Sequence, residues 1–168
     1  MTTLATAPIL LCYDGSAGSV RAVETAAALF PGRDAVVLHV WSPIAVIAAA
    51  YGGMVSLPAY DDDELQHSAL KVAASGARAA AAAGLNAKAE VAEVTYDGMA
   101  QTILAAADRH DASLIVLGAR GLSTFKSLLL GSVSQSVAQH AHRSVLIVPP
   151  AAHQDEVAAT SERAIAAV

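Results

Sequence analysis

Leu114-Ile115-Val116-Leu117-Gly118-Ala119-Arg120-Gly121, then nine residues, then Gly131-Ser132-Val133 is the stretch from which the fold can be read. Four apolar residues bounded by glycine have the length and character of a buried strand. Glycine is the residue for a backbone that turns sharply or comes close to a ligand. From Val133 to Ala141, apolar residues return at helical spacing, with Val133, Val137 and Ala141 on one face. The order is therefore strand, glycine-rich loop, helix start. A helix N-terminus carries unpaired N–H groups and a partial positive charge, which together favour an anion, most often phosphate. Ser132 adds a hydroxyl at that point and Arg120 a full charge. The expectation is a phosphate cradle, with the rest of the chain placing a nucleotide over it.

Working outward, similar units recur. Ile9-Leu10-Leu11-Cys12-Tyr13 is a short apolar run between Pro8 and Asp14-Gly15-Ser16, as expected of a strand buried on both faces. Ser16 or Ser19 can cap the helix that follows, whose Val20, Val23, Ala27 and Phe30 share a face until Pro31-Gly32 stops it. Residues 35–41 form a second strand, rich in β-branched side chains. Asp61-Asp62-Asp63-Glu64 places negative charge where a helix start favours it, and the apolar stripe beyond it runs to Gly84, a C-cap candidate. Residues 87–96 form a third strand, with Lys88 and Glu90 suited to a sheet edge. Asp97-Gly98 opens a further helix, residues 113–117 are the fourth strand and Ser144–Val148 the fifth, ended by Pro149-Pro150. Strands alternating with helices predict an α/β fold, an open parallel sheet with helices on both faces. Ligands of such sheets sit at the carboxyl ends of strands where the strand order reverses. If the first and fourth strands are neighbours, Tyr13-Asp14-Gly15-Ser16 and Gly118 line one crevice.

Composition narrows the function. The 168 residues are 55% hydrophobic and 15% charged, which suits one globular domain with a sizeable core. We place that domain at residues 1–150 and a tail with some helical character at 151–168. A net charge of −5 argues against a nucleic-acid partner held by electrostatics. A single cysteine, Cys12, rules out an internal disulfide framework and fits a reducing cytoplasm. The N-terminal residues lack the basic region of a secretory signal. Residues 35–60 contain no Asp, Glu, Lys or Arg, but Pro43 divides them, so they read as a strand and an apolar loop rather than a membrane span. Motifs of the forms GxxxxGK[ST], GxSxG, HExxH and CxxC are absent.

Gly-x2-Gly-x9-Gly-Ser followed by Val133-Ser134, the first-strand ending Tyr13-Asp14-Gly15-Ser16, Leu38-His39-Val40 and Ser144-Val145-Leu146-Ile147-Val148-Pro149 together resemble the universal stress protein family, in its ATP-binding form. The resemblance extends over about residues 7–150. It implies a five-stranded parallel sheet in the order 3-2-1-4-5, a Rossmann-like arrangement, and a homodimer through the last strand, Ser144–Val148. It also implies ATP in the crevice, carried with Mg2+ or Mn2+. On this resemblance Gly118, Arg120, Gly121, Gly131, Ser132 and Val133 surround the phosphates and ribose. Asp14 lies near the ribose or a phosphate-bound metal, and Val40 lines the adenine pocket with Cys12 and Tyr13 beside it.

Several functional classes stay open at this point. One is an ATP-binding regulatory or stress-response module acting on a protein partner that the sequence does not name. Another is a slow ATPase or autokinase, with Ser123, Thr124 and Ser127 as acceptors; phosphoryl transfer needs a group that orients the nucleophile, and the residues identify no dedicated base. The others are a cyclic-AMP-binding protein and a nucleotide-free dimeric interaction module, the last drawing on the apolar loop at 44–60.

Overall fold

The computed structural model describes residues 7–43, 61–119 and 130–150. In chain order these form β1 (Ile9–Cys12), α1 (Ala17–Leu29), β2 (Asp34–Trp41), α2 (Asp62–Ala82), β3 (Asn86–Glu93), α3 (Met99–Arg109), β4 (Leu114–Gly118), α4 (Ser132–His140) and β5 (Ser144–Val148). The five strands make one sheet in the order β3-β2-β1-β4-β5, and each neighbouring pair is parallel. The expected architecture is thus present, with β3 and its charged side chains at one edge. Residues 44–60, the 120–129 segment and the 151–168 tail lie outside the described residues. Among the described residues no helix is long and apolar enough to cross a membrane.

Side-chain parity along the strands explains the layers. Ile9, Leu11 and Tyr13 face one side with Ala35 and Val37, where they meet Ala22, Val23 and Ala26 of α1 and Ala80 of α2. Leu10, Val36 and Leu38 face the other side, against Ile103, Ala106 and Ala107 of α3 and Val137 of α4. Successive strand residues point to opposite faces, so a strand apolar at every position needs cover on both. The alanines on the helix faces let the backbones come close to the sheet.

Local chemistry sets the boundaries. Ser16, not Ser19, caps α1, accepting from the Ser19 N–H at 3.2 Å, while the Ser19 hydroxyl returns to the Ser16 carbonyl at 2.9 Å. Asp61 caps α2, and Asp62, Asp63 and Glu64 occupy its first turn, the helix-start role expected of that acidic cluster. Gly84 follows the end of α2 with φ +100°, a left-handed conformation that suits glycine. β3 stops at Glu93, short of the expected Tyr96. The Val94 N–H still reaches the Trp41 carbonyl at 2.8 Å, but the Thr95 N–H goes to Thr102 Oγ1 at 3.0 Å, which turns the chain into α3. At the other end of α3, Arg143 donates to the carbonyls of Ala107 and Ala112 at 3.0 and 2.5 Å and pairs with Asp108. Glu90 ties β3 to the same helix end through Arg109 at 2.6 Å and His110 at 2.5 Å. Burial pushes the Glu90 carboxyl up, but the hydrogen bonds and charges of Arg109 and His110 outweigh it and hold the group below its usual range.

α2 rests on the sheet through Gly76. A methyl group there would stand 2.6 Å from Cδ1 of Tyr13 and 2.9 Å from Cγ1 of Val37. Gly76→Ala therefore sets a helix-propensity gain of about 1 kcal/mol against overpacking that costs about 1–3 kcal/mol. The expected outcome is a net loss of stability in urea denaturation; a variant more stable than wild type would contradict this packing.

Candidate functional site

The chain leaves β1 for β2 on one side of the sheet, and β4 stands on the other side of β1. At this reversal the helices that follow the strands diverge, and a crevice opens at the carboxyl ends. A cavity of about 370 Å3 occupies it, lined by residues from the ends of β1, β2 and β4 and from the starts of α3 and α4. This volume is in the range of small-molecule and cofactor sites.

Eight of the ten residues singled out from the sequence line this one cavity: Cys12, Tyr13, Asp14, Val40, Gly118, Gly131, Ser132 and Val133. Arg120 and Gly121 lie outside the described residues. The lining is divided by chemistry. Leu38, Val40, Met99, Ile103 and Leu117 make an apolar part, and Asp14, Ser19, Gly118, Gly131, Ser132 and Ser134 a polar one.

The β1–α1 turn presents Asp14. Its Oδ1 accepts from the Ser16 N–H at 2.9 Å, closing a tight local turn, and Gly15 within it has φ +80°. The Tyr13 N–H donates to the Leu38 carbonyl at 2.9 Å, and the Tyr13 carbonyl accepts from His39 Nδ1 at 2.8 Å, so β2 holds the peptide that precedes Asp14. A carbonyl only accepts, so Nδ1 carries the proton. Tyr13 is 8% exposed, and its ring lies under α2 at Gly76, in the core on the α1–α2 side of the sheet.

Across the cavity, α4 begins at Ser132 with Gly131 as N-cap and no side-chain cap. Its first-turn N–H groups have no intrahelical partner. α1 and α2 have side-chain caps, while α3, which starts at the cavity with Met99, has Gly98 as N-cap and no side-chain cap. Two hydrogen bonds fix the start of α4. The Gly131 N–H donates to the Ala119 carbonyl at 2.8 Å, and the Ser134 hydroxyl to the Gly118 carbonyl at 2.9 Å. Ala119 in turn donates to the Val148 carbonyl of β5 at 2.7 Å. The site thus offers helix-terminal N–H groups on one side, an apolar recess on another and one carboxylate.

A divalent cation fits this donor set only when it arrives with its own ligands. Among the described residues no group of three His, Cys, Asp or Glu side chains is placed to hold a metal, and Asp14 is the one carboxylate among the cavity residues. Asp14 could supply a single oxygen, and phosphate oxygens and water would have to supply the rest.

Sequence reasoning missed Ser19, His39, Met99, Ile103 and Ser134 as cavity residues. Met99 and Ile103 carry the signal of an ordinary inward helix face, and only the end of the helix at which they stand distinguishes them from core. Ser134 closes the Gly131-Ser132-Val133-Ser134 end of the family signature, and the pattern gave it no role of its own.

The universal stress protein family matches residues 6–149. The chain belongs to this family. It is 34% identical over 148 residues to the universal stress protein YxiE of Bacillus subtilis, covering 83% of this chain and 97% of that one. It is 37% identical over 145 residues to a universal stress protein of Thermus aquaticus encoded in the 3′ region of a QAH/OAS sulfhydrylase, covering 83% and 96% of the two chains. Among solved structures, a universal stress protein in complex with cAMP superimposes with a TM-score of 0.60 at 25% identity, over 88% of this chain and 99% of that one. The five-stranded order is therefore that of a universal stress protein domain.

Cys12 lines the cavity, yet its chemistry is muted. Burial first, and the nearby Asp14 charge second, push its thiol up to about 12. At pH 8 the thiolate fraction of such a group is roughly 10⁻⁴. Alkylation of native protein by iodoacetamide at pH 8 is expected to be orders of magnitude slower than in denaturant. Equal rates in the two states would show that the thiol is neither buried nor suppressed.

Proposed function

We propose that this universal stress protein binds ATP in the cavity between β1, β2, β4 and α4, and acts as a nucleotide-dependent regulatory module. One observation carries the reading: an apolar recess and an uncapped helix start lie in the same cavity of about 370 Å3. A ligand that matches both is flat and apolar at one end and polyanionic at the other, which describes an adenine nucleotide. In this reading Val40 and Cys12 line the base, with Tyr13 and His39 holding the adjoining strand ends. Gly118, Gly131, Ser132 and Val133 present backbone and hydroxyl groups to the phosphates and ribose, joined by Arg120 and Gly121 from the glycine motif. Asp14 faces the ribose or supplies one oxygen to Mg2+ or Mn2+ carried by the phosphates.

Regulation requires that the nucleotide bind two states of the protein with different affinity. The surface we assign to that change is the β5 edge, which pairs with β4 alone among the described strands and is the expected homodimer contact. The Val148–Ala119–Gly131 hydrogen bonds join that edge to the cavity. Localisation in the cytoplasm and action on a protein partner complete the proposal. Hydrolysis is not part of it: Asp14 Oδ1 is engaged by the Ser16 N–H, and the sequence pattern identifies no dedicated base. Cyclic AMP is the second reading, favoured by the cAMP complex of the related structure.

Titration calorimetry of the full chain with ATP and Mg2+ is expected to give saturable binding below millimolar concentration, tighter than with cAMP. Gly131 has φ −60° and ψ 151°, open to any residue, so Gly131→Val keeps the backbone but crowds the helix start. It is expected to weaken ATP by more than about tenfold with an unchanged circular dichroism spectrum. Absent binding by wild type overturns the ATP reading, and unaltered binding by the variant overturns the site. Sedimentation equilibrium is expected to report a dimer, and a monomer at every concentration removes the role given to β5.

A further inference from the structure

Three buried polar side chains stand out in the described core: Ser19, Thr102 and Ser134, at 4%, 3% and 5% exposure. Each lies in the first turn of a helix, and each hydroxyl donates to a backbone carbonyl. Ser19 and Thr102 donate locally, to the carbonyls of Ser16 and Gly98 at the caps of their own helices. Ser134 differs. Its hydroxyl crosses 16 residues of chain to the carbonyl of Gly118, the last residue of β4, at 2.9 Å. It is the one member of the three that fixes a helix start to a strand end. The helix it fixes starts without a side-chain cap at the polar part of the cavity, whereas α3, also without one, brings the apolar Met99 and Ile103 to it.

We infer that Ser134 is a positioning residue for phosphate binding, holding the first turn of α4 at the distance and angle from β4 at which its N–H groups converge on one anion. The inference rests on the nucleotide reading above and gives a role to a residue that reading leaves without one. The physical basis is directional. Helix-terminal N–H groups serve an anion only when they point at it, and an anion bound by several of them loses affinity steeply when the helix end tilts or slides. The Gly131–Ala119 hydrogen bond joins backbone to backbone just before the helix, and the fully buried Val137 seats its later turns in the core; neither is a directional bond from the first turn itself. Ser134 supplies such a bond, one turn further along α4. Because Ser134 is buried and its hydrogen is given to Gly118, the hydroxyl acts on the ligand through the helix rather than as a phosphate donor.

The test separates this role from general stability by comparing ligands with and without phosphates. Full-length wild type, Ser134→Ala and Ser134→Cys are titrated with ATP·Mg2+ and with adenosine, and thermal unfolding is followed for each. Cysteine nearly preserves volume but donates weakly, so it keeps the packing while loosening the attachment. For both variants the expected result is an ATP affinity lower by about tenfold, with adenosine affinity changed by less than about twofold. The preference for ATP over adenosine therefore falls. Hydrogen–deuterium exchange is expected to rise at the Gly131 and Gln135 N–H groups, which are bonded to the Ala119 and Gly131 carbonyls on either side of the first turn of α4, and to stay unchanged in α1. An unchanged ATP affinity, or equal losses for ATP and adenosine, overturns the positioning role while leaving the nucleotide reading intact. If Ser134→Ala has no cooperative unfolding transition, Ser134→Cys decides alone by the same ratio. Wild type that binds ATP no better than adenosine overturns the nucleotide reading itself, and the positioning role with it.

Discussion

The parallel pairing of β1 on both sides at once is the interaction on which this molecule depends. Ile9, Leu10 and Leu11 are hydrogen-bonded in register to Ala35, Val36 and Val37 of β2 and to Leu114, Ile115 and Val116 of β4. A strand so placed is covered above and below, and its side chains at 0–1% exposure leave no room for polar residues. Because β2 and β4 lie on opposite sides of β1, the connections after β1 and β4 diverge. The gap that this divergence opens is the cavity. Fold and site are thus consequences of one topological fact, and the site did not have to be added to the fold.

The two ends of the sheet have different chemistry for the same reason. At the amino ends the chain is stitched shut: Arg33 donates to the Ala7 carbonyl at 2.6 Å and to the Ser113 hydroxyl at 3.1 Å, and Arg143 secures the end of α3. At the carboxyl ends helices begin, and their N–H groups gather. The buried hydroxyls Ser19, Thr102 and Ser134 all belong to these helix starts. A parallel α/β sheet therefore gathers helix-terminal N–H groups at one rim whatever its net charge, here −5, and the α2 start also carries Asp61, Asp62, Asp63 and Glu64 there.

Most of the architecture was legible in the residues because buried parallel strands announce themselves. Ile9-Leu10-Leu11, Val36-Val37-Leu38 and Ile115-Val116-Leu117 are apolar at successive positions, and glycine, proline or acidic residues bound each unit. The helix start at Asp61 was equally plain and that of α1 was narrowed to Ser16 or Ser19, since a side-chain cap is local chemistry. The limits of β3 were less so. Its end depends on Thr95 choosing Thr102 over the neighbouring strand, a contact across a turn that periodicity does not register.

The sequence by itself determined the α/β class, the glycine motif with its helix start and, through the family pattern those residues carry, the strand order and most of the cavity residues. Only the tertiary structure decided how the opening stretch is held: Gly131 to Ala119, Ser134 to Gly118, Ala119 to Val148. It also decided that Tyr13 sends its ring to the α2 side while Met99 and Ile103, helix residues with the pattern of core, line the cavity. The physical reason is range. Caps, turns and burial period are set by residues a few positions apart, whereas a hydroxyl's partner 16 residues away, or the side of a sheet on which a helix end opens, exists only once the strands have paired.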